Sequence, residues 1–285
     1  MTQELSLGAL VADASRELAA AGIDDSRLEA ELLAAEAFGW SRAQLLARLG
    51  EPANGDERRQ FERLLERRLR REPLAYTLGF REFYGRRFMV NRDVLIPRPE
   101  SELLVSGALG VMTPGSLVVD VGTGSGAIGI SIAAERTDVR VVELDISPSA
   151  LRVAASNAVA LGVHDRVDFV VADLLSAFRR PSGRPCVFVA NLPYVATELA
   201  GSLQPEIRDW EPAEALYAGN DGLSVLRRFL EQLRGEQAPG DHALIEMGLG
   251  QAEEVIGLAL GLMPGIKAEV VKDGTGIDRV LHLYC

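Results

Sequence analysis

"VVDVGTGSGAIGI", residues 118 to 130, runs an apolar strand-like segment into three alternating glycines, Gly122, Gly124 and Gly126, and then into a stretch of helical texture. Small residues between a strand and a helix let a ligand approach the backbone and face a helix N-terminus. Two dinucleotide-type patterns overlap here: Gly122, Gly124 and Ala127 satisfy GxGxxA, and Gly124, Gly126 and Gly129 satisfy GxGxxG. A tight strand-to-helix turn without a ligand is the third reading. Around the loop, strands and helices alternate: "SLVVDVG", a helix from about Ala127, "VRVVELD", a helix from about Ser149, "RVDFVVAD", "PCVFVAN" and "DHALIEMG". This alternation predicts a mostly parallel sheet covered by helices on both faces. The tail, "KAEVVKDGTGIDRVLHLYC", reads as two strands around a Gly-rich turn, which makes the last strand antiparallel.

Asp120 separates the readings. A carboxylate just ahead of the loop repels a pyrophosphate and suits a cationic or ammonium-bearing ligand. S-adenosylmethionine, a nucleoside with an amino-acid end and no phosphate, meets that demand better than a nicotinamide dinucleotide. The pattern D-x-G-x-G-x-G resembles the first motif of class I methyltransferases. An acid closing the next strand, Asp145 or Glu143, can bind ribose hydroxyls under either reading. Asp173, in "VVADLL", sits where that family uses an acid near the adenine amine, with a helix N-cap as the alternative.

"NLPY", residues 191 to 194, ends the fourth strand, and parallel α/β sheets bind ligands beyond their strand carboxyl ends. A tight turn with a capping Asn is the plain alternative. The tetrad resembles the [DN]-P-P-Y signature of methyltransferases that modify planar nitrogens, either adenine amines or glutamine amides. In that arrangement the Asn191 side-chain oxygen and the Leu192 carbonyl accept the two N–H bonds of the substrate nitrogen. Pro193 holds Leu192 extended, and Tyr194 packs on the flat face of the substrate. Leu192 stands where glutamine-modifying relatives usually have a first proline; "NLPY" also resembles the form common in rRNA adenine dimethyltransferases, so the tetrad alone leaves protein and RNA substrates both open.

Length and composition bound the rest. With 285 residues and 47% hydrophobic content the chain can bury a large core, and two domains are expected. A net charge of −11 argues against broad capture of nucleic acid, which draws on cationic contacts with phosphate. Cys186 and Cys285 lack CxxC spacing, and His164, His242 and His282 lack metal-like spacing, so neither a disulfide framework nor a metal site is expected. The N-terminus does not read as a signal peptide and no stretch reads as a membrane span, which points to the cytoplasm. Residues 4 to about 72 read as helices, with capping boxes at Ser26/Glu29 and Ser41/Gln44. "DERRQFERLLERRLRRE" carries Phe61, Leu64, Leu65 and Leu69 on one stripe. Its arginines read as a solvated face laced by i,i+4 pairs, with a docking patch as the sharper alternative. From Pro73, "PLAYTLGFREFYGRRFMVNRDVLIPRPE" reads as a β-hairpin linker.

The whole chain then resembles one family. "LGFREFYGRRFMVNRDVLIPRPESELLV", "VVDVGTGSGAIGI", "ELDISPSALRVAASNA", "NLPYV", "EPAEALYAGNDGLSVLRRF", "IEMGLGQ" and "DGTGIDRV" follow the order of the HemK/PrmC family, the protein-(glutamine-N5) methyltransferases of peptide chain release factors. That family commonly has Thr where Ser101 stands. The resemblance implies a class I S-adenosylmethionine-dependent fold, a mostly parallel seven-stranded sheet with a terminal antiparallel hairpin, in residues 93–285. An N-terminal helical recognition domain, 1–73, and a β-hairpin linker, 74–92, would precede it. It implies a cofactor site of Asp120, Gly122, Thr123, Gly124, Ser125, Gly126, Asp145, Ile146, Asp173, Leu174 and Asn191. It also implies that S-adenosylhomocysteine is the product. Asn191, Leu192, Pro193 and Tyr194 would be catalytic and would hold the substrate glutamine. Arg98 and Glu100 of "IPRPE" would line the same cleft, unless they brace a rigid loop. Glu211-Pro212 and the 219–222 turn would shape the wall beside the tetrad, and Glu246 would be a site acid or a strand-end cap. The implied partner is the Gly-Gly-Gln loop of the release factors, met by a monomer with no nucleic-acid target and no membrane. A ribosomal-protein glutamine methyltransferase, an adenine-N6 methyltransferase and a non-catalytic binding module on the same fold are the alternatives.

Overall fold

Ser6 and Ser41 start two of the N-terminal helices as caps, each side chain accepting a backbone N–H at 3.2 Å. The computed structural model describes residues 5–284; Cys285 lies outside them. They divide into two units: the chain through Gly79 together with Gln204–Trp210, and Phe80–Leu203 together with the chain from Glu211 on.

The first unit is helical: α1 (Leu7–Ala20), α2 (Ser26–Ala37), α3 (Arg42–Leu46), α4 (Gly55–Leu69) and α5 (Leu74–Leu78), with one further turn at Pro205–Arg208. Leu7, Val11, Leu18, Leu33, Leu45 and Phe61 are all but fully buried in its core. The Ser41/Gln44 capping box is complete. The one expected at Ser26/Glu29 does not form: Asp25 takes the N-cap position without a side-chain bond, and Glu29 is drawn instead to Arg68 at 2.6 Å. A charge-assisted bond to a buried guanidinium outweighs a neutral helix cap.

The arginines of α4 divide in the same way. Arg58 pairs with Glu62 at 2.9 Å on the solvated face, and Arg59 with Asp56 and Arg70 with Glu66 lie beside it. Arg68, however, is 4% exposed and also meets Glu206 at 2.9 Å. Arg71 meets Glu206 at 2.7 Å and donates to the carbonyls of Ala21 and Gly22, both at 2.8 Å. Burial alone would raise the Glu206 carboxyl, yet hydrogen bonds from Arg71 and Arg68 hold it below the usual carboxylate range. The solvated-face reading therefore fails at Arg68, which is buried, and at Arg71, which is half-buried; both join segments far apart in sequence.

The hairpin expected over residues 74–92 is confined to β1 (Phe80–Phe83) and β2 (Arg86–Met89), because Pro73 opens α5 and Gly79, at φ +85°, closes it. The second unit continues with α6 (Glu102–Val111), β3 (Leu117–Val121), α7 (Ala127–Glu135), β4 (Arg140–Asp145), α8 (Pro148–Ala160), β5 (Val167–Val171), β6 (Cys186–Ala190) and β7 (His242–Glu246). β8 (Lys267–Lys272) and β9 (Asp278–Tyr284) end it, and helices Ser224–Glu236 and Ala252–Leu262 flank β7 in sequence. The seven-stranded sheet runs β5-β4-β3-β6-β7-β9-β8. Strands β3 to β7 are parallel, and β9 is antiparallel to both its neighbours. Strands β3 and β6 are buried along their whole length, as apolar runs covered on both faces must be. The strand order turns back at β3, and ligands collect at such switch points beyond the strand carboxyl ends.

Under that end lies a pair of acids. Asp120 and Glu143 face each other in register on β3 and β4, both fully buried. Asp120 Oδ2 accepts the Gly129 N–H at 2.9 Å and the Thr123 hydroxyl at 3.1 Å, and Thr123 also bonds Glu143. Burial raises both carboxyls, and the Asp120 charge raises Glu143 further. The two acids therefore resist ionising together, and the neutral form is favoured at Glu143. A side chain at Gly129 would strike Glu143 Oε1 at 2.4 Å, so the last glycine of the GxGxxG pattern makes room for this acid.

Two outcomes follow for stability. Glu143→Gln keeps a neutral donor without a titrating group. The wild type loses stability as pH rises from the ordinary carboxylate range through the raised Glu143 value, so the variant should melt a few degrees higher in alkaline buffer and lose that advantage in acid. Equal melting temperatures at alkaline pH would refute the raised Glu143 carboxyl. Glu206→Ala leaves the buried Arg68 and the half-buried Arg71 each short of a partner and should cost about 2 kcal/mol in urea unfolding at neutral pH. The deficit should shrink as pH falls through the lowered Glu206 value, where the wild type loses the same contribution.

Candidate active site

Three glycines hold the backbone open at the end of β3: Gly122, Gly124 and Gly126 take φ values of +73°, +56° and +78°. Their uses differ. A side chain at Gly124 would meet nothing within 4 Å, so this residue leaves open space above the backbone, whereas one at Gly126 would strike Ile130 at 2.4 Å. Gly126 thus serves the packing of α7. Gly122 faces the Leu192 side chain across the loop.

Beyond the loop opens a cleft of about 910 Å³, counting its open mouth. Gly122, Gly124, Asp145, Ile146, Asp173, Leu174, Asn191, Leu192 and Pro193 all line it. A smaller extension, about 360 Å³ counted the same way, adds Thr123, Ser125, Phe83 and Ser101, and shares Gly122, Gly124 and Asn191 with the main cleft. Asn191 therefore borders both spaces.

Asp145 is the acid presented to the cleft. Its Oδ2 accepts the Gly124 N–H and its Oδ1 the Ser147 N–H, each at 2.8 Å, which fixes the carboxylate at the rim. Burial raises its carboxyl while those two N–H groups lower it. Of the two acids open as ribose binders, Glu143 is sealed beneath the loop and only Asp145 is placed to meet a ligand. Asp120, expected to face a cationic ligand, is sealed there too: it is fully buried, and its Oδ2 accepts from Gly129 and Thr123. Asp173 stands at the rim, paired with Arg228 and half exposed. Leu174 beside it takes φ +56°, an uncommon conformation for a branched residue. No helix starts at Asp173, which disposes of the N-cap alternative.

The tetrad projects from the end of β6. Leu192 is 4% exposed; its side chain joins the core, and the residue also lines the cleft. The Tyr194 carbonyl accepts Gln251 Nε2 at 3.2 Å, and Gln251 Oε1 in turn accepts the Gly248 N–H at 2.8 Å. A side chain at Gly222 would strike the Tyr194 carbonyl at 2.4 Å, so the 219–222 turn lies directly against the tetrad. Just ahead of that turn, the Val195 N–H donates to the Leu216 carbonyl at 2.9 Å and the Val195 carbonyl accepts the Ala218 N–H at 3.0 Å. The Tyr194 ring is mostly buried and is not among the residues lining the cleft, and burial raises its phenol.

Arg98 and Glu100 are not among the lining residues either. Arg98 bonds Glu211 at 2.6 Å, and the other Glu211 oxygen accepts the Ile96 N–H at 3.2 Å. This is the bracing role: a buried carboxylate ties "IPRPE" to the 211–222 segment. Ser101 stands behind Asn191, accepting its Nδ2 at 2.8 Å and donating to Glu246 at 2.6 Å. Nothing in the local sequence marks that contact, since the residues lie 90 and 145 positions apart. Asp93, Leu95, Glu214, Val225 and Arg228 also line the cleft, brought there by the fold alone. Among the described residues no group of three or more His, Cys, Asp or Glu side chains could hold a metal ion.

The lining suits S-adenosylmethionine. Leu174, Ala172, Ile146 and Val225 offer an apolar slot, Asp145 an acceptor for hydroxyls, and the open backbone at Gly124 a place for the amino-acid end.

Comparison with known proteins agrees with this architecture. Residues 9–79 match the PrmC N-terminal domain, and residues 113–180 match a methyltransferase domain. The release factor glutamine methyltransferase of Bacillus subtilis is 40% identical over 274 residues, 94% of either chain. That of Cereibacter sphaeroides is 39% identical over 266 residues, 93% of either chain. Among solved structures, the hMettl16 catalytic domain in complex with MAT2A 3'UTR hairpin 1 superposes with a TM-score of 0.57 at 16% identity, covering 74% of this chain and 78% of that one. A methyltransferase from Pyrococcus furiosus gives 0.51 at 14%, covering 70% and 89%. These two share the fold alone. With identity near 40% running from the helical unit through the terminal hairpin, the chain belongs to the release factor glutamine methyltransferase family.

Proposed function

We propose that this protein transfers a methyl group from S-adenosylmethionine to the side-chain amide nitrogen of the glutamine in the Gly-Gly-Gln loop of peptide chain release factors. It would do so as a monomer in the cytoplasm, with no nucleic-acid target. The observation that carries the reading is the position of Asn191, which ends β6 and borders both the main cleft and its extension beside the glycine loop. Among the described residues no helix is long and apolar enough to cross a membrane.

An amide nitrogen is a poor nucleophile because its lone pair is delocalised into the carbonyl. Bound in the cleft, S-adenosylmethionine supplies an activated sulfonium methyl, so no covalent enzyme intermediate is required. The protein's task is orientation. Asn191 Oδ1 and the Leu192 carbonyl accept the two N–H bonds of the glutamine amide, which turns the nitrogen's lone pair out of its plane of acceptors. Pro193 keeps Leu192 extended, so that its carbonyl holds one direction. Tyr194, anchored through its own carbonyl by Gln251, would pack on the flat face of the amide once the substrate enters. Leu192 spends its side chain on the core, and a proline at that position would offer the substrate the same carbonyl. Asp145 and the glycine loop hold the cofactor.

The direct test is to incubate the protein with labelled S-adenosylmethionine and a recombinant release factor and locate the label by peptide mass spectrometry. Label on the Gly-Gly-Gln glutamine supports the reading; label on ribosomal protein or rRNA and not on the release factor refutes it. Asn191→Ala should lower turnover by about 100-fold or more while leaving cofactor affinity unchanged. Asp145→Ala should weaken cofactor binding at least about tenfold by calorimetry, from the loss of charge-assisted hydrogen bonds. Unchanged affinity would remove Asp145 from the site.

A further inference from the structure

The Asn191 carboxamide can satisfy Ser101 with either end, and only one choice leaves its oxygen for a substrate. Ser101 is 2% exposed and Glu246 5%, so their groups answer to each other rather than to water. An ionised Glu246 only accepts, which commits the single Ser101 hydroxyl proton to it at 2.6 Å. Ser101 Oγ can then only accept from Asn191, whose NH₂ must face it at 2.8 Å. The carboxamide oxygen is thereby turned away, toward the cleft that Asn191 borders.

We propose that Ser101 and Glu246 are positioning residues for methyl transfer, a two-bond relay that fixes the Asn191 carboxamide with its oxygen toward the substrate amide. This rests on the reading of Asn191 as the acceptor for that amide. A protonated Glu246 would donate to Ser101 and free the hydroxyl to point at the carboxamide oxygen, so the relay would lose its direction. Glu246 is faced by Arg98 and Glu100 from the Arg98–Ser101 segment, by Arg279 on β9 and by Tyr194 of the tetrad. Burial and Glu100 raise its carboxyl, Ser101, Arg279 and Arg98 lower it, and the balance is a value pushed up to about 7. Turnover should therefore rise with pH through that range, as the carboxylate forms.

The experiment measures kcat, the KM for a release factor and cofactor affinity by calorimetry, for the full chain and four variants. Ser101→Ala should lower kcat about 10- to 100-fold with cofactor affinity unchanged, while Ser101→Thr, which keeps the hydroxyl, should stay within about threefold of wild type. Glu246→Gln should flatten the acidic limb of the kcat profile near pH 7. Wild-type kcat in Ser101→Ala, equal losses in the Ala and Thr variants, or an acidic limb that survives in Glu246→Gln would each overturn the relay, provided Asn191→Ala is inactive. Full turnover in Asn191→Ala would instead overturn the amide-holding reading, and the relay with it.

Discussion

The burial of Asp120 beside Glu143 is the constraint on which the cofactor end of the site depends. Two carboxylates without water cannot both be charged, so Glu143 keeps its proton. The pair then acts as a clip. Asp120 holds the start of α7 through Gly129, Thr123 bridges both acids, and the loop from Gly122 to Gly126 hangs from that anchor. Gly129 has no side chain because Glu143 fills its place. The acids that look like ligand binders in the sequence are thus the foundation of the loop, and Asp145, two residues beyond Glu143, meets the cleft.

The tetrad is held differently, by contacts from distant parts of the chain. Its backbone is braced by Gln251 and the 219–222 turn, and the Asn191 side chain by Ser101 and, through it, Glu246. The Arg98–Glu211 pair locks the segment that carries Ser101 to the wall opposite. Rigid placement of this kind suits a reaction in which the enzyme contributes direction more than chemistry.

Much of this was legible in the sequence, for identifiable reasons. The sheet strands appear as apolar runs bounded by Gly, Asp and Pro, and each was found within a residue or two. The cleft was legible through its glycines and through "NLPY", because both motifs end strands. Local pattern failed wherever a long-range partner outbid a neighbour. Glu29 left its cap for Arg68, Arg68 and Arg71 turned inward, and Asp120 turned to Gly129 instead of a ligand. Residues 74–78 became helical between Pro73 and Gly79, and α6 was hidden inside a segment read for its motif. Ser101 and Glu246 were visible as residues but not as partners, since spacing carries no information across 145 positions.

The helical unit draws its last piece, Gln204–Trp210, from the middle of the other unit's sequence. During synthesis from the N-terminus, α1 to α5 emerge long before Glu206, which lies 135 residues after the Arg71 it must meet. Until then Arg68 has only Glu29 and Arg71 has no carboxylate, and this unit is a helical cluster short of its final counter-ion. Completing this unit therefore requires a contact of high sequence separation, which the helices α1 to α5 cannot make among themselves.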